Sequence, residues 1–139
     1  LSRSLAKQSA GKRLDFSSPY AIAEYYMQDM RHLTKERLVL VMLDSRLNLI
    51  KDSVISIGTV NSSLVSVKEL ISEASKNKAV SIVLIHNPPS GDPAPSPQDI
   101  SVTEQIRKAG LILGIHLIDH IIIGDNNFTS LYECGYLRQ

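Results

Sequence analysis

The sequence places two side chains capable of chemistry at either end of one loop, within residues 84–99, which read LIHNPPSGDPAPSPQD. His86 ends an apolar run over residues 79–85 that has the composition of a buried strand. Asp99 follows after a twelve-residue gap, on the first turn of a predicted helix. Because α/β sheets open their clefts at the carboxyl ends of strands, we expect both side chains to face a cleft.

A histidine and an aspartate that converge in this way can bind a divalent metal ion, with Glu36 nearby at the start of the first predicted strand. Catalytic zinc takes three protein ligands and keeps one position open for water. The natural third ligand is residue 88, because an extended chain returns its side chain to the same side after two residues. That position holds Pro88, which has no lone pair to offer a metal ion.

The loop resembles that of the RadC-type branch of the JAMM/MPN metalloprotease-like domains. Their signature is an upstream Glu, then His-x-His-Pro, a spacer, Ser-x-x and Asp. The RadC-like version typically reads HNHPSGDP followed by PS-x-x-D, and this chain reads HNPPSGDPAPSPQD. The resemblance covers essentially residues 17–135, including the strings LDSRLNLI, GTVNSSLV and LIDHIIIGD.

The resemblance implies a zinc site and a hydrolytic mechanism. His86 and Asp99 fall on metal-ligand positions of the signature. Ser96 falls on the serine and Glu36 on the catalytic glutamate, whereas Pro88 replaces the second histidine. In the family mechanism a zinc-bound water, activated by the glutamate as general base, attacks an amide carbonyl, and the serine helps to hold the oxyanion.

The replacement at Pro88 bears directly on metal binding, because two protein ligands hold zinc more weakly than three. Four further residues are candidates for a substitute ligand: Asp92, Asn87, His116 and His120. His116 and His120 lie four residues apart on a predicted strand, so alternation should turn both to the same face. This pattern favours structural roles for the two histidines.

Each candidate site residue also has a purely structural interpretation. Residues 96–99 form a favourable helix start without any metal, with serine as the cap and proline in the first turn. Asp99 then stands at the third helical position, as the shorter counterpart of a capping-box glutamate. By the same reasoning His86 is a hydrogen-bonded loop histidine, Glu36 a solvated charge at a strand entry, and Asp92 a turn residue.

The elements that must position these residues follow the order α-β-β-α-β-α-β-β. The predicted helices begin at residues 19, 66 and 96, and the predicted strands cover residues 37–43, 49–58, 79–85, 115–123 and 128–133. The first two strands should pair as a hairpin. A hairpin combined with crossover helices predicts a mixed sheet flanked by helices, in the α/β or α+β class. The resemblance specifies this as an MPN/JAMM-like, cytidine deaminase-like fold.

The chain has 139 residues, of which 43% are apolar and 21% are charged. This length and composition suit one ordinary globular domain with a single core. We expect residues 1–16 to be a tail or the end of an upstream element, and residues 17–139 to form the domain. A net charge of +1 argues neither for nor against nucleic acid, because a DNA footprint needs a clustered basic face.

The single cysteine, Cys134, excludes an internal disulfide and fits a reducing cytoplasm, and we interpret it as a packing residue. No stretch has the pattern of a signal peptide. The longest apolar run, residues 111–124, is interrupted by His116, Asp119 and His120, which excludes it as a membrane span.

Two function hypotheses follow from these observations. The first is a zinc-dependent hydrolase of peptide or isopeptide bonds, or a relic of one. The second is a non-catalytic module that presents its cleft or sheet surface to a protein or peptide partner, or less readily to DNA. The DNA-repair role attached to the RadC name has little physical support in this sequence.

Overall fold

The computed structural model describes residues 16–30, 35–57 and 66–137. Within these ranges the elements are α1 (Pro19–Met30), β1 (Arg37–Leu43), β2 (Leu49–Ile57), α2 (Val67–Lys76), β3 (Ser81–Asn87), α3 (Pro97–Ile112), β4 (His116–Ile123) and β5 (Phe128–Ser130). This is the predicted order. The predictions for residues 1–15 and for the loop over residues 58–63 lie outside the described residues. Of the helices in the described ranges, none combines the length and the apolarity needed to cross a membrane.

The strands form one five-stranded sheet in the order β2-β1-β3-β4-β5. β1 is antiparallel to both β2 and β3, β3 is parallel to β4, and β4 is antiparallel to β5. The predicted β1–β2 hairpin is therefore confirmed. The parallel step from β3 to β4 requires a crossover, which α3 supplies. The fold is a mixed sheet flanked by helices, as predicted.

Both faces of the sheet are covered, since β3 is buried along its whole length and β1 is buried from Leu38 to Leu43. On one face, called here the α3 face, Leu38, Leu40 and Met42 of β1 pack in a core shared with α2 and α3. On the other, the α1 face, alternate residues of β1 pack in a core shared with α1. Alternation along β1 and β3 assigns Glu36 and His86 to the α3 face.

Several element ends differ from the sequence prediction, and the differences at the ends of β3 and β5 affect residues with predicted roles. β3 extends to Asn87, so His86 lies inside the strand, where Leu38 of β1 and Ile122 of β4 are its register partners. β5 ends at Ser130 because the chain turns there, with the amide of Cys134 donating to the Ser130 carbonyl. The side chain of Cys134 is exposed, so its interpretation as a packing residue is wrong.

A register shift between β4 and β3 overturns a prediction about which face of the sheet the side chains of β4 point to. Ile82 of β3 pairs with Leu117, but Val83 pairs with Asp119, which leaves Ile118 as an extra residue on β4. Side chains before and after this point are therefore out of phase. His116 lines a cavity of about 350 Å³ on the α1 face, whereas His120 contacts α3. The expectation that both histidines share a face is wrong.

Candidate metal centre

A group of polar side chains, called here the polar cluster, lies on the α3 face, between the carboxyl end of β3 and the first turns of α3. Its five members come from four segments of the chain, because two of them lie on α3. They are Glu36, His86, Asp99, Thr103 and His120. All are buried except Glu36, whose side chain is 12% exposed. The fold thus brings together residues as far apart in sequence as Glu36 and His120.

Glu36 reaches the cluster through its contact with His86. Its Oε2 lies 3.0 Å from Nε2 of the His86 ring. The position of Glu36 is held by Asn87, whose side-chain amide donates to the carbonyl of Lys35 at 3.1 Å. The carbonyl oxygen of the same side chain accepts from the amide of Arg37 at 2.9 Å. Asn87 thus fixes the backbone on both sides of Glu36, a structural task that occupies both ends of its amide group.

The carboxylate of Asp99 divides its two oxygens between the helix cap and the cluster. Oδ2 accepts from the amide of Ser96 at 2.8 Å and from its hydroxyl at 2.9 Å, while the Ser96 hydroxyl accepts from the amide of Asp99. This is a complete capping box, so the structural interpretation of residues 96–99 is confirmed. Oδ1 lies 3.1 Å from Nδ1 of His86. The cap and the cluster therefore use different atoms of one side chain.

The contact between His86 and Asp99 is close but is not a well-formed hydrogen bond. Nδ1 of His86 makes no bond of acceptable angle to any atom of the described ranges, despite its 3.1 Å distance from Oδ1. Burial opposes a charge on His86, but its contacts with Asp99 and Glu36 outweigh burial and raise the pKa of the ring. Burial likewise opposes a charge on Asp99, yet His86 and Ser96 lower the pKa of its carboxyl to about 2.

His120 enters the cluster from β4 and is held by Thr103. Oγ1 of Thr103 lies 2.6 Å from Nδ1 of His120 and 2.6 Å from the carbonyl oxygen of Asp99. Burial, reinforced by the neighbouring His86, lowers the pKa of His120 to about 3, so the ring is neutral at physiological pH. The centroids of the two histidine rings are 5.9 Å apart.

Two of the other candidates for a substitute ligand lie outside the cluster. Asp92 is exposed, and its Oδ1 accepts from the amide of Ala94 at 3.0 Å, as expected of a turn residue. His116 is on the opposite face of the sheet. Pro88 is half-buried at the start of a turn, which is closed by a hydrogen bond from the Gly91 amide to the Pro88 carbonyl at 3.1 Å.

Sequence reasoning missed the contacts of Thr103, and it favoured a structural role for His120, one of the four candidates for a substitute ligand. One signal for Thr103 was present, since a residue four positions after Asp99 lies on the same face of α3. No comparable signal marked His120, because its direction depends on the register shift at Ile118.

The mixed, helix-flanked sheet and the histidine–aspartate cluster define an α+β domain of the JAB/MPN type. Residues 16–136 match the family described as the RadC-like JAB domain, and the chain belongs to that family. The predicted family is confirmed.

Relatives of the chain are named UPF0758 proteins. One from Staphylococcus aureus is 43% identical over 139 residues, a match that covers 100% of this chain and 61% of that protein. Another, from Shouchella clausii, is 44% identical over 136 residues, covering 98% of this chain and 59% of that protein. The chain therefore spans about three fifths of the length of these relatives.

The zinc ion implied by the family fits the residues that are present, despite Pro88. His86, Asp99 and His120 each offer one ligand atom, and these atoms all lie within 4.8 Å of one another. Two imidazoles and a carboxylate are a donor set that zinc accepts. All three side chains are buried, and Nε2 of His120 has no hydrogen-bond partner in the described part of the chain.

Proposed function

We propose that this domain is a zinc-dependent hydrolase of peptide or isopeptide bonds. The observation that supports the proposal is the convergence of Glu36, His86 and Asp99, with one carboxylate 3.0 Å from Nε2 and the other 3.1 Å from Nδ1 of the ring. Burying ionisable groups costs free energy that apolar side chains would not cost. A functional role accounts for that cost better than packing does.

His86 and Asp99 are the residues that would hold the metal ion from the positions of the family signature. When bound, zinc supplies Lewis acidity, which polarises an amide carbonyl and makes water a nucleophile at neutral pH. Asp99 would contribute Oδ1, because Oδ2 is occupied by the amide and hydroxyl of Ser96. The capping box thereby orients the ligand oxygen toward His86.

Glu36 is the proposed general base. Its carboxylate lies at the edge of the cluster, partly exposed, while the groups deeper in the site are buried. Asn87 holds the backbone on both sides of it, so the carboxylate is positioned before substrate arrives. In this role Glu36 takes a proton from the attacking water and delivers it to the departing amine.

Ser96 has a positioning role, with a second role implied by the family. Its hydroxyl donates to Oδ2 of Asp99 at 2.9 Å, which holds that carboxylate in place. As the serine of the family signature, it would turn the same hydroxyl toward the oxyanion that forms on the substrate carbonyl.

A second function is favoured by one observation, the proline at position 88. A domain that has lost a signature ligand can keep the fold and use the same cleft to bind a protein or peptide partner without hydrolysis. Only the hydrolase requires Glu36 for turnover, because the binding module does not hydrolyse its partner.

Substitution of the proposed base separates the two functions. Zinc-loaded wild type and Glu36→Gln are compared on a panel of fluorogenic peptide and isopeptide substrates at equal zinc content. We expect Glu36→Gln to lose a factor of about 100 or more in rate while it retains zinc. Glu69→Gln, an exposed change on α2, is the matched control and should leave the rate unchanged. Equal rates in wild type and Glu36→Gln, or no turnover of any substrate, would overturn the hydrolase proposal in favour of the binding module.

A further inference from the structure

We infer that His120 supplies the third protein ligand of this metal site through Nε2, and that Thr103 positions it for that role. A donor from the neighbouring strand β4 would then replace the histidine whose signature position is held by Pro88. This inference rests on the metal site of the proposed function and concerns the side chains that complete it.

The hydrogen bonds around Thr103 determine which nitrogen of His120 carries the proton. The Thr103 hydroxyl has one proton to donate, and its 2.6 Å partner, the carbonyl oxygen of Asp99, can only accept. The hydroxyl oxygen must therefore accept from its other partner, Nδ1 of His120, also at 2.6 Å. Nδ1 carries the proton, and Nε2 of the neutral ring presents a lone pair.

The surroundings of Nε2 favour a metal ion over a packing role. His120 is 2% exposed, and within the described ranges no donor reaches Nε2. A buried polar atom without a partner costs free energy that an apolar side chain at this position would avoid. The ligand atoms of His86 and Asp99 lie within 4.8 Å, so an ion shared by the three residues would satisfy the lone pair.

The register shift in β4 is what makes His120 available to the site. Leu84 pairs with His120 and His86 with Ile122, so the two histidines lie diagonally on neighbouring parallel strands. Without the extra residue at Ile118, alternation from Leu117 would turn position 120 to the α1 face.

The completed set has the composition of a catalytic zinc site. Two imidazoles and one carboxylate leave a fourth position open for water or substrate. Histidine ligands commonly donate their second ring N–H to an oxygen that fixes the tautomer and the ring orientation. Thr103 supplies that oxygen, and its own proton goes to the backbone of Asp99. Thr103, in the first turns of α3, thereby links two of the three proposed ligands, Asp99 and His120, by hydrogen bonds.

Zinc affinity of the full chain tests the inference, measured by competition with a chromogenic chelator. We expect His120→Gln to bind zinc at least about tenfold more weakly than wild type, since loss of an outer-shell partner alone costs 10–100-fold. His116→Gln is the matched control, because it changes the same residue type on the same strand but on the opposite face. Its affinity should equal that of wild type.

The outcomes distinguish the inference from the proposed function. If His120→Gln binds zinc as tightly as wild type while Asp99→Asn loses it, His120 is not a ligand and the metal site stands without it. If wild type binds no zinc at micromolar supply, the metal site itself fails, and the inference falls with it.

A measurement on wild type tests the inference even if the His120→Gln protein does not fold. Ring ¹⁵N NMR of the zinc-free protein should show His120 with the proton on Nδ1, and added zinc should shift the Nε2 resonance while Nδ1 stays protonated. Thr103→Val should lose the tautomer preference and about 10–100-fold in zinc affinity, and Thr103→Ser should preserve both. A proton on Nε2, or His120 resonances that do not move when zinc binds, would overturn the inference.

Discussion

Ser96 and Asp99 bond each other reciprocally at the start of α3, and only one oxygen of the Asp99 carboxylate takes part. The other oxygen lies 3.1 Å from Nδ1 of His86. One side chain thus caps the start of a helix and supplies a candidate metal ligand, and we expect mutation to separate these two roles.

Replacing Asp99 by asparagine should preserve the cap and damage the metal site. The amide oxygen can still accept from Ser96, so we expect the zinc-free protein to unfold in urea within about 1 kcal/mol of wild type, while zinc affinity falls at least about tenfold. Ser96→Ala is the counterpart, which should lose about 1 kcal/mol of stability with the cap. Tight zinc binding by Asp99→Asn would contradict the division of the two oxygens.

Restoring the signature histidine with Pro88→His should raise zinc affinity. The larger rise is expected in the His120→Gln background, because the restored side chain would replace a missing ligand there instead of adding one to a complete set. Zinc titrations of the two single variants and the double variant measure this coupling. If Pro88→His strengthens zinc binding in neither background, the cleft is not the metal site of the family.

Three glycine-to-alanine changes should separate backbone strain from contact with the loop that joins His86 to Asp99. Gly114 has a φ of +73° and nothing within 4 Å of an added Cβ, so its change should cost about 1 kcal/mol from strain alone. At Gly91, with φ +76°, the Cβ would also meet the Asp125 carboxylate at 2.8 Å. At Gly124 it would meet the backbone oxygen of Gly91 at 2.5 Å, which cannot rotate away.

We therefore expect urea unfolding to show Gly124→Ala as the most damaging of the three, at about 1–3 kcal/mol. Gly91→Ala and Gly124→Ala should also weaken zinc binding, because both displace the loop over residues 88–95. Gly114→Ala should not. Equal zinc affinities in all three variants would show that this loop does not position the site.

Tyr26 should make stability depend on alkaline pH. Burial and its 2.9 Å hydrogen bond to Asp52 raise the pKa of its hydroxyl. The folded state therefore keeps this proton when pH rises above about 10, where an unfolded tyrosine ionises, so the associated stability is complete below pH 10 and declines above it.

Tyr26→Phe lacks that ionisation. We expect it to be about 1 kcal/mol less stable than wild type at pH 8, from the lost hydrogen bond, with the gap closing by roughly 1 kcal/mol at pH 11. Urea unfolding at the two pH values measures the gap. A gap that stays constant would show that the Tyr26 hydroxyl titrates alike in both states.

Most of the fold was predictable from local features of the sequence. The eight elements were predictable in order because apolar runs, helix caps and turn residues act over a few positions. Ser66, where the second helix was predicted to begin, and Ser96, the predicted cap of the third, both cap their helices. Element ends were less predictable, as at β5, because tertiary hydrogen bonds decide where a strand stops pairing.

The sequence by itself determined the family, the loop with His86 and Asp99, and the gap at Pro88. Only the tertiary structure placed a second histidine, His120, beside His86 and Asp99. The extra residue at Ile118 appears in the pairing of β4 with β3, and it turns His120 toward the site. No property of one strand reveals such a shift, because register is a relation between two strands. The tautomer of His120 likewise depends on Thr103, which only the packing of α3 on the sheet brings within 2.6 Å.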